Sequence, residues 1–351
     1  MKAVTLLTGP STHLDHIGIL SSQLEIPLIV TDEKTHELAK AFYPQFDVHF
    51  YEMSALSYEM LASHFDLIFQ SGRSWTARIQ PTIELLFGKK MRMVFCPHGN
   101  SDKGHSFRNH PEQDLYLVYG DHLFDHLKKT GALETIKKVF YTGNYRLLFY
   151  KQHKDFYDAL VETHVFSHFL EPKPTILYAP TWLDEEGPSS FFDETDALID
   201  QLGTDYNLVI KLHPFLEQSH PERVFQIIDR HQHHRSVRFL TDFPPIYPLL
   251  ARCDLYIGDF SSVGYDFLAF NRPLYFFNPL SETTAPPSCL FRCGIQIPTQ
   301  QKKRLKAFLE ETRMHAECDF AKARNETYAY AFGKEKDLKD LREEIWNYVL
   351  K

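Results

Sequence analysis

Short apolar runs alternate with longer polar stretches through most of the chain. Runs at residues 4–7, 27–30, 48–50, 67–70, 93–95, 115–118 and 139–141 are rich in Val, Ile, Leu and Phe, which marks buried strands. Between the earlier runs, residues 13–24, 33–42 and 55–64 read as helices. Past Phe149 the pattern changes. Residues 153–169 read as a polar–aromatic helix, and Glu171-Pro-Lys-Pro174 reads as an inter-domain hinge, because proline disfavours helix continuation. A second series follows, with strands expected at 175–178, 208–211, 237–239, 255–257 and 274–277 and helices at 190–202, 221–230 and 248–252. Strands separated by helix-length segments mean βαβ units and parallel sheets. The expected fold is therefore α/β, two Rossmann-like domains facing a cleft, at 1–170 and 171–333. The tail, 334–351, places Leu338, Leu341, Ile345, Trp346 and Val349 at helical spacing and is expected to pack back across the domains.

Composition narrows the class. A chain of 351 residues with 43% hydrophobic and 24% charged residues suits two well-cored soluble domains. A net charge of −8 argues against a general nucleic-acid binder. The five cysteines are scattered and read as reduced thiols of a cytoplasmic protein. The N-terminal apolar run is too short for a signal peptide and reads as a first strand. No stretch approaches the ~20 apolar residues of a membrane-spanning helix.

The strand ends carry the chemistry. In DLYIGDFSSVGYDFLAFNRP (254–273) a buried strand breaks at Gly258-Asp259, the hydroxyls of Ser261 and Ser262 follow, and a helix then begins. Unpaired N–H groups and the positive dipole end of such a helix favour a phosphate. The competing reading is that one serine simply caps the helix. Other strand ends carry His98-Gly99, with Asp102 and Lys103 beyond, then Ala179-Pro-Thr181-Trp182 and Lys211-Leu-His213-Pro214. As a set they suit transfer from an activated phosphate donor. Lys211, a helix N-terminus and Ser261/Ser262 supply donors to a pyrophosphate. A histidine supplies a base that titrates near neutral pH. There is no G-x-G-x-x-G after the first strand, no P-loop and no G-x-S-x-G elbow, so no cofactor is expected. The run His231-Gln-His-His234 lacks a paired carboxylate or Cys at helical spacing and reads as a solvated loop; no metal is expected.

These motifs, in this order, resemble the CDP-glycerol glycerophosphotransferases, the teichoic-acid primase and polymerase group. Tyr178-Ala-Pro-Thr-Trp182 is similar to that family's YAPTW, and Lys211-Leu-His-Pro214 to its KLHP. Asp259-Phe-Ser-Ser-Val-Gly-Tyr-Asp266 with Arg272-Pro273 is similar to its DYSS…FD…RP block. His98-Gly99 with Lys103 resembles its HG…K, and Thr142-Gly-Asn-Tyr-Arg146 partly resembles its G-x-P-R turn. Gly258 stands where the family usually has Thr, and Tyr145 where it has Pro.

The resemblance implies a metal-independent transferase of the glycosyltransferase-B type. Its donor would be a CDP-linked polyol, its acceptor a glycan or lipid-linked precursor, and its by-product CMP. It further implies His98 as general base and His213, with Lys211, as stabiliser of phosphate charge. Thr181, Asp259, Ser261 and Ser262 would bind the donor, Asp266 would support that loop, and Gly99, Lys103 and Arg146 would be supporting residues. A nucleotide-sugar transferase of the same architecture and a non-catalytic nucleotide-binding relative are the alternatives. Peripheral contact with the inner face of the membrane is a further expectation. For that, Lys302–Arg304 with Lys306 is the candidate basic patch, and a solvated helix face is its competing reading.

Overall fold

Strand β1 (Ala3–Leu7) is buried along its whole length, with parallel neighbours on both sides. β2 (Leu28–Val30) and β3 (Val48–Phe50) extend the sheet one way. β4 (Leu67–Gln70), β5 (Arg92–Phe95), β6 (Leu115–Val118) and β7 (Val139–Tyr141) extend it the other, giving the order β3-β2-β1-β4-β5-β6-β7. The computed structural model describes residues 2–72, 79–102, 113–182, 189–259, 261–277 and 289–350. The helices between strands start where the side chains dictate. Asp32 accepts the N–H of Thr35 (2.7 Å) to cap Glu33–Phe42, and Ser57 accepts that of Met60 (3.1 Å) to cap Tyr58–His64. Val4, Leu6, Ile29, Ile68 and Met93 of the sheet pack with Leu61 and Ile83 of the helices into one core.

A second sheet repeats the plan. β8 (Thr175–Ala179) leads outward to β9 (Asn207–Lys211) and β10 (Val237–Leu240). β11 (Leu255–Gly258) then returns to the other side of β8, followed by β12 (Leu274–Phe277) and β13 (Ile295–Ile297), in the order β10-β9-β8-β11-β12-β13. All its pairings are parallel, and β8, β9, β11 and β12 are buried throughout. Strands covered on both faces read as unbroken apolar runs, which is why they stand out in the sequence.

The chain divides into two compact units. The first holds the described residues up to Asn100, those from 113 to Gln152, and the segment from Tyr330 onward; the second holds Ser101 and Asp102 and the described residues from His153 to Ala329. The break therefore falls at 152/153, not at 170/171. Helix Lys154–His164 belongs with the second unit: Glu162 pairs with Arg252 (2.9 Å), and the carbonyl of His164 accepts from Arg238 (3.2 Å). The proline stretch expected to be the hinge lies inside that unit too, since the carbonyl of Pro174 accepts the N–H of Asn207 and that of Glu171 its side chain. The last helix, Leu338–Leu350, groups with the first unit alone, burying Leu341, Ile345 and Val349 beside helices Ile17–Leu24 and Tyr145–Gln152.

Candidate active site

In an open parallel sheet, ligands bind beyond the carboxyl ends of the strands where the strand order reverses. In the second unit that point lies between β8 and β11. The structure brings Thr181 and Trp182 (after β8), Asp259, Ser261 and Ser262 (after β11) and Lys211 and His213 (at the end of β9) to these strand ends.

Ser261 is the cap. Its Oγ accepts the N–H of Val263 (3.3 Å), and Ser262 begins helix Ser262–Phe267. The same hydroxyl also interacts with the buried Tyr256 phenol. Asp266, three per cent exposed, accepts the hydroxyl of Tyr247 (2.9 Å) and so ties this helix to Tyr247–Ala251. Arg272 of the Arg-Pro pair donates to the carbonyls of Ala251 (2.9 Å) and Cys253 (2.5 Å), closing the end of that same helix.

Asp259 has a different part from the one expected. It is wholly buried, and its Oδ2 accepts the N–H groups of Thr181 (3.0 Å) and Ser190 (3.0 Å). A carboxylate engaged in this way clamps two strand-end loops together, and its charge would repel a phosphate. Asp259 is therefore a brace between these two loops. Thr181, itself buried, is held from the other side by Ser189, whose hydroxyl donates to its carbonyl (2.5 Å). The hydroxyls of Tyr178 and Ser190 bond to each other (2.7 Å), and burial with the nearby Asp259 charge holds the Tyr178 phenol well above its ordinary pKa.

His213 caps helix Pro214–Ser219: its Nδ1 accepts the N–H of Phe215 (3.2 Å). With Nδ1 accepting, the neutral ring carries its proton on Nε2, so its other edge is a donor, as a phosphate oxygen requires. Trp182 stacks on the His213 ring (centroids 6.0 Å apart) and packs on Phe215 (4.9 Å), and it lies against the hydrophobic core. Lys211 is nearly buried, and its ammonium donates to the carbonyl of Phe243 (3.1 Å), which holds the loop after β10.

The first unit reverses its order between β1 and β4. Beyond β5, the next strand, lie His98 and Gly99. His98 is exposed, and Gly99 has φ +136°, a backbone conformation that side chains rarely adopt. From the turn after β1, His13 stacks on His98 with centroids 4.4 Å apart and ring planes 23° apart. His13 Nδ1 also bonds the hydroxyl of Ser71, after β4 (3.2 Å). Behind them the Tyr119 hydroxyl donates to the carbonyl of Pro97 (3.0 Å). Its single proton is thereby used, so His16 Nδ1, 2.8 Å away, is the donor to that oxygen. Burial first, then the positive charges of Arg146 and the two neighbouring histidines, holds His16 well below its ordinary pKa.

Arg146 is buried and paired with Asp15, and its Nε donates to the Asp15 carbonyl (2.8 Å). It secures the 3-10 turn Ser11–Asp15, and the Tyr145 hydroxyl donates to the carbonyl of His16 (3.2 Å). Lys103 lies outside the described residues. His13, Ser71, His16 and Tyr119 escape a motif search. The only local sign of the first two is that polar turns, Gly9–Ser11 and Ser71-Gly72, follow apolar runs. Unlike a wholly solvated loop, the run begins inside a helix: His231, the last residue of Pro221–His231, pairs with Asp196 (2.7 Å), while His234 bonds Ser236 (3.0 Å).

Three of the four cations of the basic patch are ion-paired. Lys302 pairs with Glu194 (2.5 Å), Lys306 with Asp205 (2.6 Å) and Arg304 with Glu311. Among the described residues, no helix is long and apolar enough to cross a membrane.

Comparison with known proteins gives similarities of sequence and of fold. Residues 146–283 match the family described as CDP-Glycerol:Poly(glycerophosphate) glycerophosphotransferase. The chain is 26% identical over 175 residues to the teichoic acid ribitol-phosphate primase of Bacillus spizizenii, covering 48% of this chain and 42% of that one. It is 31% identical over 109 residues to the teichoic acid glycerol-phosphate primase of Bacillus subtilis, covering 31% and 26%. The matched stretches thus span less than half the length of these relatives. A solved structure of the wall teichoic acid polymerase TagF superposes with a TM-score of 0.66 at 16% identity, covering 100% of this chain and 90% of that one. The fold is the two-domain α/β architecture of the glycosyltransferase-B type. Residues 146–283, the stretch that matches the CDP-glycerol glycerophosphotransferase family, are also the stretch that carries the braced serine loop and the capping His213.

Proposed function

We propose that the protein transfers a polyol phosphate from a CDP-linked donor to a hydroxyl of a cell-envelope glycan or its lipid-linked precursor, at the cytoplasmic face of the membrane. The observation that carries this reading is the gathering of Thr181, His213, Ser261 and Ser262 at the strand-order reversal of the family-matched unit. His98 takes the proton of the acceptor hydroxyl. That oxygen bonds to the donor's β-phosphorus, and the bond from β-phosphorus to the bridging oxygen breaks, releasing CMP. Charge gathering on the phosphate oxygens meets the Nε2–H of His213 and the Ser261 and Ser262 hydroxyls. Asp259, Asp266 and Lys211 hold those groups in place.

CMP release from CDP-glycerol and from CDP-ribitol, with lipid-linked acceptors, tests the reading. His98→Ala is expected to lower turnover roughly 10²–10⁴-fold, as removal of a general base does. Unchanged turnover in that variant would withdraw the base assignment. Thermal stabilisation by CDP in preference to UDP and GDP is expected, since a ligand stabilises the state that binds it; preference for UDP or GDP would favour a sugar-nucleotide donor.

A further inference from the structure

The first unit's strand-order reversal is occupied by a turn that matches no motif, the 3-10 segment Ser11–Asp15, and by Ser71 after β4. We propose that His13 is a positioning residue for His98, its ring a plate that sets the plane and height of the His98 imidazole. The inference rests on the reading of His98 as the base.

Three independent contacts build the plate. The His13 ring is fixed in its own plane by the bond from Nδ1 to Ser71 Oγ (3.2 Å), and it stacks on His98 at 4.4 Å. Below it lies Gly9, where an added Cβ would come within 2.8 Å of His13 Nδ1, so the ring rests on bare backbone. The turn itself is gripped by Arg146 and Tyr145 through the carbonyls of Asp15 and His16. The other side of His98 is steadied through its neighbour, since Tyr119 donates to the Pro97 carbonyl. An exposed imidazole with free rotation would spend much of its time misdirected, and small misplacements of a reacting group are costly. His16 lies close enough to both rings for their charges to act on it.

The test uses the full chain, with CDP-glycerol as donor and CMP release as readout. His13→Ala is expected to lower kcat about tenfold or more with KM for the donor nearly unchanged, because the donor-binding groups lie on the second unit. His13→Phe keeps a ring in the stack and is expected to recover most of that loss. Gly9→Ala, which pushes the His13 ring upward, is expected to behave like His13→Ala. Wild-type kcat in His13→Ala would overturn the inference, and so would failure of His13→Phe to recover activity.

Histidine NMR gives a readout that needs no turnover. The His98 ring protons are expected to carry a ring-current shift that is lost in His13→Ala and enlarged in His13→Phe. Absence of that change would also overturn the stack. If the NMR shift is present but no CDP-polyol yields CMP in the wild type, the proposed reaction fails while the stack stands.

Discussion

Gly258 shows how a single position is set by its neighbour. An added Cβ there would lie 2.2 Å from the Tyr256 hydroxyl oxygen and 2.5 Å from Cζ, and that ring is wholly buried. The two residues share one face of β11, two positions apart. The departure from the family's usual Thr is thus the counterpart of a large residue at 256. Gly258→Thr is expected to destabilise the second unit by ~1–3 kcal/mol through overpacking. Combining it with Tyr256→Val is expected to recover much of that loss, which urea unfolding of the single and double variants would measure. Additive losses would show that the two side chains do not compete for the same space.

At the level of elements, the site is a set of strand-end loops fastened by buried side chains. Asp259 joins the loops after β8 and β11, Asp266 joins two helices through Tyr247, and Arg146 joins the last helix before the break to the turn after β1. Two of the strand-end side chains are short and capping: Ser261 and His213 each hold the first turn of a helix with one atom. Arg146→Ala leaves the Asp15 carboxylate buried without its guanidinium, and breaking such a pair costs on the order of 3–5 kcal/mol. The variant is expected to lose stability and, through the loosened turn, the His13–His98 stack. Arg146→Lys is expected to recover only part, because an ammonium cannot reproduce the planar set of donors. Thermal unfolding together with the His98 ring-current shift checks both.

For the whole molecule, the two units are expected to answer different variables. His16 belongs to the first, and its folded pKa lies well below the ordinary value of 6.5. Below that ordinary value the unfolded chain takes up a proton that the folded unit refuses, so stability is full above it and falls as pH drops toward the lowered folded value. The unfolding midpoint of the first unit is therefore expected to drop between about pH 7.5 and about pH 5.5. His16→Gln should flatten that dependence, and an unchanged slope would mean another group dominates. CDP is expected to stabilise the second unit, by about 2.7 kcal/mol at a hundredfold excess over Kd.

Strands covered on both faces carry few polar residues, so β1, β4, β6, β8 and β12 could be read from composition alone, and with them the α/β class and the doubled plan. The motif residues at their ends were legible for the same reason: a polar cluster that ends an apolar run marks where the chain leaves the sheet, on the edge where ligands bind. The parts those residues play were not legible, because a side chain's role depends on which other strand end lies beside it. Asp259 looks like a ligand until Thr181 and Ser190 are seen donating to it. Arg146 looks like a supporting motif residue until it is found holding a turn 131 positions earlier. The break at 152/153 and the return of the last helix to the first unit rest on contacts between distant segments, which local pattern does not encode. His13 and Ser71 meet only because the sheet reverses its order between β1 and β4, a fact of topology that no run of neighbouring residues contains.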